Sequence, residues 1–186
     1  MGAFRDFVAK TILRYRVSRM KRRKMLLPFS QIRNAGLLFE ITTQKDFSVA
    51  QRIVRDLKSG GKKVMSIGYY PGKELPDFCI GETTGYCFNH KELSFFGLPR
   101  SDYLRKFCHI EFDLLIDLSV NHHFILEYLS ALSVARVKMA VSQGNQRKSS
   151  DILIQTKNPV GLEEAYDLMM HYLLALNSGK SPAANI

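Results

Sequence analysis

Cysteine is scarce in this chain and badly placed for pairing. Cys79, Cys87 and Cys108 are an odd set without close spacing, which argues against a disulfide framework and for reduced thiols in a cytosolic setting. Long apolar runs are missing as well, with nothing near the roughly 18 residues a spanning helix needs. The basic run Lys21–Lys24 meets Pro28 after Met25, Leu26 and Leu27 alone, too short an apolar stretch for a secretory leader. Gly2 does not open a myristoylation motif, because Asp6 stands where Ser or Thr is required. Glycine-rich phosphate loops are absent, and so is a Gly-x-Ser-x-Gly elbow. The spacing from Cys79 through Cys87, His90 and Cys108 to His109 holds none of the close cysteine pairs of a zinc site. No metal and no cofactor are expected.

Acidic residues are missing from one place in particular. Residues 1–27 carry nine Lys/Arg against Asp6 alone, while residues 28–186 carry eighteen against sixteen Asp/Glu. A nearly neutral body thus bears a basic N-terminal extension, an asymmetry that marks an anionic partner. Within it, Phe4, Phe7, Val8, Thr11, Ile12 and Tyr15 share one arc at helical spacing, so residues 3–20 read as an amphipathic helix. The anion-facing patch is assigned to Arg14, Arg16, Arg19, Lys21, Arg22, Arg23 and Lys24. Its partner is a membrane face, a nucleic acid or ribonucleoprotein, another protein, or a second copy of the chain. The alternative is that the stripe packs on the protein's own body.

The remainder, with 46% hydrophobic and 24% charged residues, reads as one α/β domain over residues 28–178, followed by a short tail over 179–186. Strand-length runs occur at residues 36–43, 63–70, 112–119, 137–141 and 151–156. The helical segment Lys45–Lys58, closed by Gly60 and Gly61, joins the first two strands as a βαβ unit. A nearly all-apolar helix over 121–135 and a final helix over about 160–177 complete the set. The fold class is α/β: a three-layer sandwich on a mostly parallel, Rossmann-like or flavodoxin-like sheet of about five strands. The connection between the last two strands is short for a parallel crossover, so an antiparallel or edge strand there is open. Residues 71–111, punctuated by glycine and proline, give a helical turn from Ser101 and little else.

The stretches Phe112–Ser119, Tyr128–Lys138 and Met170–Leu173 resemble a family of short, uncharacterised cytosolic proteins from bacteria of the Bacteroides and Flavobacterium group. That family carries no established activity, so the resemblance implies no catalytic role. More loosely, the strand–helix–strand from Phe112 to Val141 is similar to one nucleotide-fold domain of two-domain sugar-transferring enzymes.

Candidate ligand residues follow from where open parallel sheets bind, at the carboxyl ends of their strands. The first such turn offers Thr43, with Thr42 and Asp46 as helix-capping alternatives. The turn after the third strand offers Ser119, Asn121, His122 and His123, with Ser119 or Asn121 as a cap and the histidines able to meet an anion or move a proton. Asp113 and Asp117 share a strand face about 13 Å apart, too far for an acid/base pair. The leading functional reading is a non-catalytic interaction module, cytoplasmic or peripheral at the membrane. The alternative is a transferase or hydrolase acting on a phosphorylated small molecule at that turn.

Overall fold

The computed structural model describes residues 2–81, 85–142 and 149–177; the expected tail lies outside them. Six strands form one open sheet: β1 (Asn34–Glu40), β2 (Lys63–Tyr69), β3 (Tyr86–Phe88), β4 (Leu114–Asp117), β5 (Val137–Ser142) and β6 (Ile152–Gln155). Their order is β3-β2-β1-β4-β5-β6, and every adjacent pair is parallel. Five helices accompany them: α1 (Gly2–Arg19), α2 (Gln44–Ser59), α3 (Asp102–His109), α4 (Phe124–Leu132) and α5 (Leu162–Asn177).

Alternation along the strands builds two cores. Leu37 and Phe39 of β1, with Ile116 of β4 and Met139 of β5, meet Ile53 and Val54 of α2 and Met169 and Leu173 of α5. Leu38, Ile67 and Leu115 point the other way, onto Leu104 and Phe107 of α3 and Leu126 and Leu129 of α4. Both faces are covered, as an all-parallel sheet requires. Each fully buried aliphatic side chain contributes about 1.5–3 kcal/mol of transfer free energy, which makes these layers the main stabilising element.

The sequence signals for α2 act as expected. Thr43 and Asp46 form a reciprocal capping box at its start. At its end Lys62 N–H donates to Leu57 O at 3.1 Å and Gly61 N–H to Lys58 O at 2.9 Å. Gly61 takes a positive φ of 77° to allow this.

Two expectations are corrected, one left open is resolved, and one holds. The sheet has six strands rather than about five, because Tyr86–Phe88, too short to show a period, pairs with β2 through the register Ile67↔Tyr86. Of the alternatives left open for the last strand, it is an edge strand, and it runs parallel to its neighbour with Met139 opposite Ile152. About nine extended residues reach about 30 Å, enough to return along a six-residue strand without a helix; residues 143–148 of that link lie outside the described residues. Ser101 does begin a helix, α3, its Oγ accepting from Tyr103 N–H at 3.2 Å. Finally, the face of α1 turned inward is not the one the apolar spacing marks. Ala9 and Leu13 are buried against α4, whereas Phe4, Phe7 and Tyr15 are 70%, 66% and 57% exposed. Leu13 lies about two and a half turns beyond Phe4, on the opposite side of the helix. Val8 and Ile12 of the arc are half-buried, and its aromatic members are left outside.

The segment after α1 is fastened to the sheet's far edge. Met25 N–H donates to Arg136 O at 3.3 Å. Asp151, at the entry to β6, pairs with Arg22 and, at 3.0 Å, with Lys24, and it accepts from Lys138 N–H at 2.9 Å. Lys138 itself is 2% exposed and donates from Nζ to Ala131 O at 2.9 Å in the last turn of α4.

The cysteines divide between the two cores. Cys79 and Cys87 come within hydrogen-bonding reach on the α2 side, although the sequence shows no pairing, while Cys108 lies under α4. Burial pushes the thiols of Cys87 and Cys108 up to about 12, and Cys79 moves in the same direction. Thiolate is the reactive form. Native protein at pH 8 is therefore expected to react with a disulfide reagent about a hundredfold or more slowly than urea-unfolded protein. A rapidly titrating thiol in the native state would contradict this placement.

Candidate functional site

The chain leaves β1 toward β2 on one side, and β4 later takes the other side. The carboxyl ends of β1 and β4 thus bound a topological switch point, the place where open α/β sheets bind ligands. Three strands end beside it, at Glu40, Tyr69 and Asp117.

The turn after β4 closes over Glu40. Asn121 Nδ2 donates to Glu40 Oε2 at 2.8 Å, and His123 Nε2 meets Glu40 Oε1 at 2.7 Å. With a carboxylate on Nε2, that nitrogen donates a proton to it. Burial raises the Glu40 carboxyl, but the hydrogen bonds from His123 and Asn121 outweigh it, holding the group below the ordinary carboxylate range. The Tyr69 ring stands edge-on to the imidazole with centroids 5.1 Å apart. Burial, followed by the charge of Glu40, raises its phenol.

The sequence-derived candidates part company here. His122 and His123 face a cleft of about 620 Å³ whose other walls are Tyr69, His90 and Leu93–Gly97, with Arg5 and Lys10 from the inner side of α1. Asn121 faces a separate recess of about 120 Å³ beside Thr42 and Asp46. Thr43 is engaged in the capping box. Ser119 is 1% exposed, its N–H donating to Asp117 Oδ1 at 3.1 Å. Neither Ser119 nor Asn121 caps α4. That position falls to His123, whose ring turns to Glu40 and makes no capping bond. His122 pairs with Glu127 at 2.9 Å.

Of the stretch 71–111, His90 and Leu93–Gly97 form a wall of the cleft rather than a plug, a role their irregular sequence did not disclose. Sequence reasoning also missed Glu40, Lys10 and Arg5. Glu40 ends a strand whose apolar run continues past it. Lys10 and Arg5 belong to a helix whose docking face was misassigned.

The basic patch is likewise divided. Arg14, Arg19, Lys21 and Arg23 are exposed. Arg16 bonds the Tyr128 hydroxyl. The Arg22 side chain is 9% exposed against Asp151, and Lys24 shares that carboxylate. Among the described residues, no group of three or more His, Cys, Asp and Glu side chains could hold a metal ion, and no helix is long and apolar enough to cross a membrane.

Fold and cleft define a doubly wound, all-parallel α/β protein whose helix α1 packs against α4. The chain belongs to the Family of unknown function (DUF6913), which it matches over residues 5–176. That match takes in α1 from its second turn onward, together with the whole sheet. No curated protein matches the chain.

Proposed function

We propose that this protein is a non-catalytic, cytosolic bacterial module that docks on an anionic lipid surface through the outer face of α1. One observation carries the reading. Phe4, Phe7 and Tyr15 form an exposed aromatic stripe on a helix whose opposite side is occupied by the body. Arg14 flanks the stripe on one side and Arg19 on the other, its guanidinium 4.7 Å from the Tyr15 ring centroid. Aromatic rings beneath a basic rim suit the headgroup boundary, where each cation near an anionic surface is worth about 1 kcal/mol. The docked inner face holds the helix in place, so little ordering entropy opposes binding.

Vesicle co-sedimentation tests this. The full chain is expected to partition onto vesicles containing 30% phosphatidylglycerol and weakly onto neutral phosphatidylcholine, with loss at high salt. Phe4→Ser/Phe7→Ser is expected to lower partitioning at least tenfold, since each ring loses about 1.5–3 kcal/mol of burial. Equal partitioning on both vesicle types, or no effect of the double substitution, overturns the reading. RNA binding that depends on the arginines and is indifferent to the phenylalanines overturns it in favour of a nucleic-acid partner.

A second reading rests on the carboxylate-oriented imidazole of His123 beside the 620 Å³ cleft. It is the transferase or hydrolase acting on a phosphorylated small molecule. Saturable phosphate binding that is lost in His123→Ala and kept in Phe4→Ser/Phe7→Ser would favour it.

A further inference from the structure

A second cavity, of about 380 Å³, lies between the C-terminal half of α1 and the helices α3 and α4. Its walls are largely apolar, with Met20, Pro99, Leu132 and Val134 among them, and the buried thiol of Cys108 lies at its base. Its polar groups are of one sign. Arg16 and Arg19 reach it from α1, Arg105 from α3, with His109 beside them, and no Asp or Glu lines it. Arg105 is ion-paired with Asp102 at 2.7 Å. Arg16 bonds the hydroxyl of Tyr128, and Arg19 lies over the ring of Tyr15. Among the described residues neither of these two guanidinium groups has a carboxylate partner.

We infer that this cavity is a binding site for a single-chain anionic amphiphile, with the hydrocarbon tail among Met20, Leu132 and Val134 and the carboxylate or phosphate head on Arg16 and Arg19. An apolar pocket of this size favours a chain in proportion to the area it removes from water. A guanidinium fork takes carboxylate or phosphate oxygens in pairs. Neither a fully polar anion nor an uncharged chain uses both halves of the site. A neutral apolar ligand leaves the two arginines with their present weak partners, and a small anion leaves the cavity unfilled. The site shares Arg19 and Tyr15 with the proposed docking face, but it takes one molecule from solution and does not use Phe4 or Phe7.

Titration calorimetry on the full chain, with each probe below its micelle concentration, tests this. Dodecanoate and dodecyl phosphate are the anionic probes, with dodecanol and acetate as controls. One-to-one binding of either anion is expected, at least tenfold tighter than dodecanol, with no measurable heat from acetate; the stronger of the two anions identifies the head group. Arg16→Gln/Arg19→Gln is expected to weaken anion binding at least tenfold while leaving dodecanol unchanged. Leu132→Phe, which fills the cavity, should weaken both. Both arginines are at the surface, so the arginine pair decides the matter even if the core variant fails to fold. Phe4→Ser/Phe7→Ser should bind as the parent does, which separates this site from the vesicle reading. Equal affinity for dodecanoate and dodecanol, anion binding unaffected in the arginine variant, or no binding of either anion overturns it.

Discussion

Asp151→Ala is expected to destabilise the protein by about 1–3 kcal/mol, because it leaves the half-buried Arg22 guanidinium without its carboxylate. Burial alone would raise the Asp151 carboxyl. The donors of Lys24, the Lys138 backbone and Arg22 more than offset it, so the group stays ionised well below its usual range. Removing it leaves Arg22 with the Arg136 carbonyl at 3.3 Å, a buried Nε without a partner among the described residues, and no counter-charge. It also removes the acceptor for Lys138 N–H at the entry to β6. Urea denaturation at pH 7 reads the change as a lower midpoint with an unaltered slope. Arg22→Ala/Asp151→Ala should recover a substantial part of the loss, because the stranded charge goes with it. A single-variant cost below about 1 kcal/mol, or no recovery in the double variant, would show that the pair is solvated and does not fasten the segment after α1 to the sheet. The contact thus bears on function, since it helps fix the helix whose outer face is proposed to dock.

What the sequence discloses and what it hides divide along physical lines. Periodicity and caps locate α2 within a residue, because Thr43, Asp46, Gly60 and Gly61 act on their immediate neighbours. The apolar runs of β1, β2 and β4 are legible for a related reason: strands buried on both faces show continuous hydrophobicity. Tyr86–Phe88 is not legible, since three residues carry no period and the strand owes its existence to pairing with β2. The direction of β6 is not legible either, because it is fixed by pairing with β5 and not by anything local. α1 shows the limit most clearly. Apolar spacing identifies a stripe but not which stripe packs, and here the smaller one, Ala9 and Leu13, faces α4. The same error hid the cleft, because Arg5 and Lys10 reach it only with the helix in this orientation. His122 and His123 were found from the strand-end rule, whereas Glu40, their neighbour in space, is 83 residues from His123 in sequence.

Stability is expected to rise from pH 7 to about pH 8.5, and Lys138→Met is expected to abolish that rise. Burial, and next the charge of Arg22, pull the Lys138 ammonium from 10.5 down to about 7. Asp151 and Cys108 act in the opposite direction, Lys24 adds to the depression, and the Ala131 carbonyl accepts its hydrogen bond. Between about pH 7 and 10.5 the unfolded chain therefore holds a proton that the folded chain has released. Folding gains stability with pH wherever the unfolded state binds more protons. Because Lys138 is half protonated at pH 7, its gain over the window from 7 to 8.5 is about 1.5 kcal/mol, less what the buried thiols take away. Above about pH 9 the sign reverses for other groups. The thiols of Cys87 and Cys108 and the phenol of Tyr166, all pushed up to about 12, keep protons in the folded state that the unfolded chain loses earlier. The maximum is thus expected near pH 8–9. Methionine matches the length of the lysine stem without an ionisable head, at a cost of about 1 kcal/mol for the lost bond to Ala131. Urea midpoints at pH 7.0, 7.75 and 8.5 should climb in the parent chain and stay level or fall slightly in Lys138→Met, where the buried thiols still act. A level profile in the parent, or an unchanged climb in the variant, would mean that Lys138 keeps its proton through this range and that its amine is hydrated despite its place beneath α4.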